Sequence, residues 1–233
     1  MQKNRYSKTL GMVFSISFIL FSLLLSVHFW SFNESFYRSE HSKLKLYGRS
    51  IAEHIGITED DLDKLTSFTL HYLNDPDASL DIQMKVNGVE REIFTDDEKL
   101  HMVDVRNLNL AANVILIVTG ILCVSCIIYF VVTKRFDALF LSYKKTLLYA
   151  AIFFGILICW IVIDFDSFWT MFHHLFFPSN ELWLLDLRKD ILIMIVPPEF
   201  FNHLVLTIVA TFISLVVCMY LLLSFLYKGR IVR

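Results

Sequence analysis

Four long apolar runs constrain the fold of this chain more than any other feature of its sequence. None contains Asp, Glu, Lys or Arg: Leu10 to Trp30, Ala111 to Thr133, Leu147 to Ile163 and Leu204 to Tyr227. A helix of about twenty apolar residues is long enough to cross the hydrocarbon core of a bilayer. Because 56% of the residues are also hydrophobic, the sequence predicts an α-helical integral membrane protein with four transmembrane helices.

The distribution of basic residues predicts how these helices are oriented. Ten of the 21 Lys and Arg residues lie in three short segments that hold one acid, Asp137; they are Lys3, Arg5, Lys8, Lys134, Arg135, Lys144, Lys145, Lys228, Arg230 and Arg233. Cytoplasmic segments of membrane proteins are enriched in such residues. We therefore expect both termini, and the connection between the second and third helices, to be cytoplasmic.

The predicted organisation has eight segments. They are a cytoplasmic tip with the first helix (1–32), an extracellular domain (33–109), the second helix (110–133), a cytoplasmic loop (134–146), the third helix (147–164), an extracellular or interfacial aromatic segment (165–203), the fourth helix (204–227) and a cytoplasmic tail (228–233). The first run follows a basic tip, but it is longer than the apolar region of a signal peptide. We expect it to be an uncleaved helix.

Local signals in segment 33–109 predict a small α+β domain. The sequence Thr58-Glu59-Asp60-Asp61 resembles a capping box and predicts a helix from Thr58 to Asn74. Asn87-Gly88 lies between two strand-like stretches and predicts a β-hairpin. A further helix is predicted to start at Thr95 and to run unbroken into the second apolar run. The apolar stretch 191–196 is too short to cross a bilayer, so we expect it to lie along the outer interface or dip into it.

Histidines in the two outer segments are the candidate chemical groups. His173 and His174 lie among Phe and Trp residues in a stretch, 168–177, that we expect to be a turn-rich junction. His101 precedes the hydrocarbon by about two helical turns, roughly 10 Å, which places it at the headgroup level. Imidazole exchanges protons near neutral pH, so two such rings facing each other predict acid and base chemistry at the membrane surface. Asp104 lies on the helical face of His101 and can orient that ring.

Other interpretations of these residues stay open at this point. The aromatic stretch is also typical of an interfacial belt with two incidental histidines, and Asp104 of an exposed acid beside Arg106. A metal site built from His101, His173, His174, His203 and an acid is possible on residue types, but the spacing matches no tight ligand motif. The sequence has no Gly-x-Ser-x-Gly elbow and no Gly-rich phosphate loop. All four cysteines lie in apolar runs, which argues against a disulfide framework or a thiolate metal site.

Four motifs together resemble the lipoprotein intramolecular transacylase family, whose members are membrane proteins of Gram-positive bacteria that make lyso-form lipoproteins. They are Glu-Lys-Leu-His-Met-Val-Asp-Val at Glu98 to Val105, Phe-His-His-Leu-Phe-Phe at Phe172 to Phe177, Trp-Leu-Leu-Asp at Trp183 to Asp186, and Ile-Val-Pro-Pro-Glu-Phe-Phe at Ile195 to Phe201. The likeness covers essentially the whole chain. Pro198 beside Pro197 departs slightly from the family pattern.

The resemblance implies a reaction and a set of site residues. The family moves the acyl chain at the sn-2 oxygen of a diacylglyceryl-cysteine to the α-amino group of the same cysteine. Its two functional histidines correspond to His101 and His173, while His174 falls at a variable position. We expect acid and base catalysis by these two residues, with Asp104 in support. Aromatic residues would line the site and receive acyl chains: Trp169, Phe172, Phe176, Phe177 and Trp183.

The partners implied are diacylglyceryl-modified lipoprotein N-termini and membrane lipids. We expect no nucleic acid, cofactor or metal ion, and the sequence does not indicate an oligomeric state. Two other classes of function compete with the transacylase. One is a membrane sensor or binding module without catalysis, and the other is a metal-dependent membrane hydrolase.

Overall fold

The computed structural model describes residues 2–231, and it is almost entirely helical. Its helices are α1 (Gln2–Ser31), α2 (Glu34–Lys43), α3 (Ile51–Ile55), α4 (Glu59–Asn74), α5 (Asp96–Thr133), α6 (Phe136–Ile163), α7 (Phe165–Phe176), α8 (Ile191–Ile195) and α9 (Pro198–Ile231). The strands form two antiparallel pairs, β1 (Lys45–Leu46) with β2 (Arg49–Ser50), and β3 (Gln83–Val86) with β4 (Val89–Glu92). The predicted first and last segments, 1–32 and 228–233, include Met1 and residues 232–233, which lie outside the described residues.

Four helices are long and apolar enough to cross a membrane: Arg5–Ser31, Asp96–Thr133, Phe136–Ile163 and Pro198–Gly229. They contain the four predicted apolar runs. The helix α5 is continuous from the predicted outer start into the second run, as the sequence predicts. The helix α6 begins at Phe136, inside the stretch predicted as a cytoplasmic loop, so only two residues separate it from α5.

The chain divides into two compact units. One comprises the described residues of Met1–His28, Ala112–Phe165 and Thr207–Arg233. Its buried core contains Phe14 and Tyr143, whose rings lie 6.4 Å apart. The Tyr143 hydroxyl donates to the carbonyl oxygen of Val216 at 2.9 Å, so a buried polar group within this apolar unit is satisfied.

The second unit comprises Phe29–Ala111 and Asp166–Leu206. Its hairpin confirms the prediction, because Val86 pairs with Val89 and both turn residues, Asn87 and Gly88, have positive φ angles of 52° and 80°. This geometry suits a two-residue turn that matches the twist of the strands. The predicted helix α4 is also confirmed, with the side chain of Thr58 accepting from the backbone N–H of Asp61.

Two segments of this unit differ from the predictions. The stretch predicted as a turn-rich junction lies in the helix α7. This helix contains no Pro or Gly and ends at Phe176, two residues before Pro178. The short helix α8, predicted at the membrane interface, is instead buried in the core with residues of α3 and α4. Packing against Ile51, Ile55 and Leu62 removes its apolar side chains from water without any lipid.

The start of α5 is fixed by Glu98, whose side chain is 0% exposed. Its carboxylate accepts from the backbone N–H and hydroxyl of Thr95 at 2.7 and 2.9 Å. The Thr95 hydroxyl in turn accepts from the Glu98 N–H at 3.3 Å, which completes a capping box. The other carboxylate oxygen accepts from the N–H of Leu192 at 2.6 Å. One side chain therefore ties the start of α5 to the start of α8.

Replacing Glu98 by alanine should destabilise this unit. The substitution leaves the buried N–H of Leu192 without an acceptor, at a cost of about 1–3 kcal/mol, and it also removes the capping box with Thr95. We expect Glu98→Ala to lower the free energy of unfolding by about 3 kcal/mol, and Glu98→Gln, which keeps one acceptor oxygen, to lower it less. Thermal unfolding of the purified protein in detergent checks this. The matched control is Glu90→Ala on the exposed strand β4, and equal stability of the two alanine variants would contradict the prediction.

Candidate active site

The structure brings His101 and His173 together within the second unit. His101 lies on the second turn of α5 and His173 near the end of α7. Their ring centroids are 6.3 Å apart, with an angle of 31° between the rings, and each residue is 7% exposed. Two residues 72 positions apart in the sequence therefore form a buried imidazole pair, and imidazole is the side chain that exchanges protons near neutral pH.

The helix α7 fixes the orientation and the tautomer of His173. Trp169 lies one turn earlier, and its carbonyl oxygen is 2.8 Å from Nδ1 of His173. A carbonyl oxygen only accepts hydrogen bonds, so Nδ1 carries the hydrogen. In the neutral ring the lone pair is then on Nε2. His173 thus has one nitrogen bound to the backbone and one nitrogen able to accept a proton.

Aromatic rings enclose His173 on several sides. The indole of Trp183 stacks on it with centroids 4.8 Å apart and an angle of 26°. Trp169 meets it edge to face at 4.8 Å, and Phe172 at 5.5 Å. Phe177 contacts both histidines, at 5.4 Å from His101 and 5.8 Å from His173. These four rings and the two histidines are called the histidine cluster below.

The predicted lining residues occupy different positions. Phe172 stacks on Trp169 with an angle of 6° and also contacts Phe176 at 4.8 Å. Phe176 is 45% exposed, whereas its neighbour Phe177 is 7% exposed. Phe177 therefore forms part of the enclosure, and Phe176 presents its ring to the surroundings. Phe201, which the sequence analysis did not single out, packs on Trp169 at 4.5 Å and extends the apolar wall.

Burial sets the protonation state of His173. Removal from water lowers the pKa of His173 below its ordinary value of 6.5, because the imidazolium ion loses hydration. The hydrogen bond to Trp169 acts in the opposite direction, and the charge of nearby His174 lowers the pKa further. His173 is consequently neutral at pH 7, with the Nε2 lone pair available. A buried neutral imidazole of this kind is suited to act as a general base.

Asp104 lies on the same helix as His101, and its carboxylate contacts a different residue. It accepts a hydrogen bond from the side-chain amide of Asn180 at 3.0 Å. The amide oxygen of Asn180 accepts from the N–H of Leu182 at 3.1 Å. Asp104 therefore holds the loop that precedes Trp183, and its predicted support of His101 stays a prediction. Sequence reasoning missed Asn180, and only its place in a turn after Pro178 could have suggested it.

Two buried polar atoms of the histidine cluster have no hydrogen-bond partner among residues 2–231. They are Nδ1 of His101 and Nε1 of Trp183. Most buried polar groups in proteins are paired, so unpaired ones in a candidate site point to a missing partner. The cluster is thus arranged to bind a group that offers polar atoms.

The other predicted histidines lie apart from this pair or at its edge. His174 is exposed and meets Trp183 edge to face at 5.2 Å. His203 is bound elsewhere, with Nδ1 at 2.6 Å from the carboxylate of Glu40, which also accepts from Lys43 at 2.8 Å. Across the described part of the chain, no three His, Cys, Asp or Glu side chains are grouped so that they could hold a metal ion.

Solved structures share this fold. The chain is similar to the membrane integral lipoprotein intramolecular transacylase Lit from Bacillus cereus, with 23% identity, a TM-score of 0.82, and 98% of this chain and 99% of the other covered. Two variants of that protein, with one histidine replaced, also match. The alanine variant has 22% identity, a TM-score of 0.76 and coverage of 99% and 98%. The arginine variant has 22% identity, a TM-score of 0.73 and coverage of 98% and 95%.

Sequence comparison gives the family. No curated protein sequence matches the chain. The family model described as "Lipoprotein intramolecular transacylase Lit" matches residues 12–201. That match spans most of the 233 residues and includes both histidines of the cluster, the apolar helices α5 and α6, and the loop that carries Trp183. The chain therefore belongs to the lipoprotein intramolecular transacylase family.

Proposed function

We propose that this protein moves the sn-2 acyl chain of a diacylglyceryl-cysteine lipoprotein to the α-amino group of the same cysteine, which gives an N-acyl lyso-lipoprotein. The observation that carries this proposal is the buried pair His101 and His173, with ring centroids 6.3 Å apart inside an aromatic enclosure. Family membership supports the class of reaction. The apolar enclosure suits acyl chains, and the two imidazoles suit proton transfer.

The reaction needs one base and one acid. The amine nitrogen attacks the carbonyl carbon of the sn-2 ester, and the tetrahedral intermediate then breaks the bond from that carbon to the sn-2 oxygen. An α-amine has a pKa of about 8. Its neutral form attacks, and the nitrogen loses a proton as the amide forms. The sn-2 oxygen leaves as an alcohol by gaining a proton, so one proton moves and the mass is unchanged.

His173 is the base in this proposal. Its Nδ1–H is engaged by Trp169, which leaves the Nε2 lone pair to accept the amine proton. Burial, with the charge of His173, lowers the pKa of His101 to about 4, so its ring is neutral at pH 7. His101 donates its ring hydrogen to the sn-2 oxygen as the carbon–oxygen bond breaks, and the proton that His173 took from the amine then replaces that hydrogen. Both residues then return to their starting state. No acyl group becomes attached to the protein at any step.

A mechanism without a covalent enzyme intermediate suits the acyl donor and the acyl acceptor of this reaction. Both belong to one molecule, so holding them in contact can supply up to about 7–11 kcal/mol of the barrier lowering. The cysteines of the chain, the usual thiol nucleophiles, lie on α5, α6 and α9 within the other compact unit. None of them belongs to the histidine cluster.

The proposed topology has four transmembrane helices with both termini in the cytoplasm. Segments 33–109 and 165–203 then lie outside the cell membrane, with the candidate site at the extracellular face. The basic residues of the tip, of the connection near Lys134 and of the tail support this orientation. Lipoprotein N-termini, which are anchored in the outer leaflet by their acyl chains, are the partners for a site in that position.

Alanine variants of the two histidines test the proposed function. We expect His101→Ala and His173→Ala to abolish N-acyl lyso-lipoprotein, because each removes one step of proton transfer, while protein levels stay normal. The measurement is mass spectrometry of a lipoprotein's N-terminal peptide from cells that lack N-acylation, with and without this protein. A fragment series in which one acyl chain has moved to the cysteine amine, at unchanged total mass, identifies the product.

The matched control is His174→Ala, which changes the adjacent exposed histidine. It should convert the lipoprotein at close to the wild-type rate. If the wild-type protein leaves diacylglyceryl-cysteine unchanged, the transacylase proposal is wrong. Near wild-type conversion by either histidine variant would instead remove that residue from the mechanism.

The tautomer of His173 can be measured without substrate. Isotope-labelled histidine in the purified protein should show, at pH 7, a neutral His173 ring with hydrogen on Nδ1 and none on Nε2, assigned by comparison with His173→Asn. Because burial lowers its pKa, this ring should gain a proton only when the pH falls below 6.5. Base function is lost over that same acidic range. A ring with hydrogen on Nε2, or one that titrates above 6.5, would contradict the assignment of the base.

Cysteine labelling tests the orientation of the helices. In a chain whose four native cysteines are replaced by serine, Lys85→Cys on strand β3 should react with a membrane-impermeant maleimide in intact cells. Lys145→Cys should react only after the cells are permeabilised. Both positions are exposed, so reactivity reports the side of the membrane. Labelling of Lys145→Cys in intact cells would reverse the proposed orientation.

A further inference from the structure

The indole of Trp183 places a buried hydrogen-bond donor in the histidine cluster. Its Nε1 atom is buried and has no partner among residues 2–231. Indole nitrogen is a donor only, and a buried donor without a partner costs about 1–3 kcal/mol. Trp and Tyr side chains usually find a partner for their polar atom when they are buried. A group that enters the cluster from outside can pair with this N–H if it offers an acceptor atom.

The position of this donor is fixed beside the proposed base. The indole stacks on the imidazole of His173 with centroids 4.8 Å apart. The loop before it is held by Asn180, whose amide donates to Asp104 and accepts from Leu182. After it, the N–H of Leu185 donates to the carbonyl oxygen of Trp183 at 3.0 Å. Contacts on both sides keep the indole in place, so the donor is arranged before any substrate binds.

The chemistry of the reaction identifies the acceptor. Attack of the amine turns the ester carbonyl oxygen into an oxyanion, which needs a donor that keeps its hydrogen throughout the step. A histidine nitrogen that gives its hydrogen to the sn-2 oxygen cannot hold that same hydrogen on the oxyanion. Indole N–H does not titrate in the physiological range, so it has no role in moving protons. The two histidines and the indole therefore offer complementary functions in one enclosure.

We propose that Trp183 is a catalytic residue whose Nε1–H donates a hydrogen bond to the sn-2 ester carbonyl oxygen and stabilises the oxyanion of the tetrahedral intermediate. This inference rests on the proposed transacylation. The bond strengthens as negative charge develops, because the site is buried and the donor needs no rearrangement. It therefore acts on the rate of the chemical step more than on binding of the substrate.

The test replaces Trp183 by benzothienylalanine, in which sulfur takes the place of the indole N–H and the bicyclic ring is kept. The ring can still stack on His173, so the base keeps its neighbour. We expect kcat to fall about a hundredfold to a thousandfold, with KM nearly unchanged. Trp183→Phe, which also lacks the donor, should show the same loss of kcat. The matched control is the same replacement at Trp160 on α6, which should leave kcat unchanged.

A second measurement separates a hydrogen bond to the oxyanion from a role in lining the site. A phosphonate analogue of the sn-2 ester imitates the charged tetrahedral intermediate, and an ether analogue lacks the carbonyl oxygen. The benzothienylalanine protein should bind the phosphonate about a hundredfold to a thousandfold more weakly and the ether equally well. Equally weakened binding of both analogues, or a substitution that changes KM but not kcat, would overturn the assignment of Trp183 as the donor to the oxyanion.

The outcomes distinguish this inference from the proposed function. If the wild-type protein makes N-acyl lyso-lipoprotein and the benzothienylalanine protein matches its kcat, the role of Trp183 is wrong and the transacylase proposal stands. If the wild-type protein makes no such product, the transacylase proposal and the role of Trp183 are both wrong.

Discussion

The buried carboxylate of Glu98 is the interaction on which the geometry of the histidine cluster depends. It closes the capping box with Thr95 and also accepts from the N–H of Leu192, so it joins the starts of α5 and α8. Burying a carboxylate is costly unless its oxygens are hydrogen-bonded, and here both are. His101 follows three residues later, on the next turn of α5. By joining α5 to α8, Glu98 positions the His101 ring relative to the core of the second unit, which includes α8.

The fold was predictable from sequence wherever a local signal determines the structure. The apolar runs, the cap at Thr58 and the Asn87-Gly88 turn all act within a few residues, and the structure contains the elements they predict. The helices α7 and α8 were not predicted correctly for different reasons. The stretch Phe165–Phe176 does carry a local helix signal, because Phe165, Trp169, Phe172 and Phe176 recur at helical spacing, but the prediction followed its aromatic composition instead. The burial of Ile191–Ile195 depends on α3 and α4, which are distant in sequence.

The residues of the candidate site also divide into those that the local sequence indicates and those that depend on tertiary contacts. His101 and His173 were predicted as site residues because imidazole is a distinctive group in an outer segment and because both lie in family motifs, and the structure places the two rings 6.3 Å apart. The role of Asn180 depends on its contact with Asp104, 76 positions away, and no periodicity reports such a contact. The free lone pair of His173 depends on the carbonyl oxygen of Trp169. The indole N–H of Trp183 has no partner among residues 2–231 because of how the chain packs around it. Residue types indicate the chemistry, and tertiary contacts decide which atom performs it.

Burial of the histidine cluster has two opposite effects on a base. Removal from water lowers the pKa of His173, which keeps the ring neutral but weakens its attraction for a proton. The stacked indole of Trp183 offsets part of that weakness, because the face of an aromatic ring attracts the cation that forms when the proton arrives. In the proposed reaction the enclosure would also keep water from competing with the amine for the ester. An intramolecular acyl transfer tolerates a weaker base, since the nucleophile is already held beside its target.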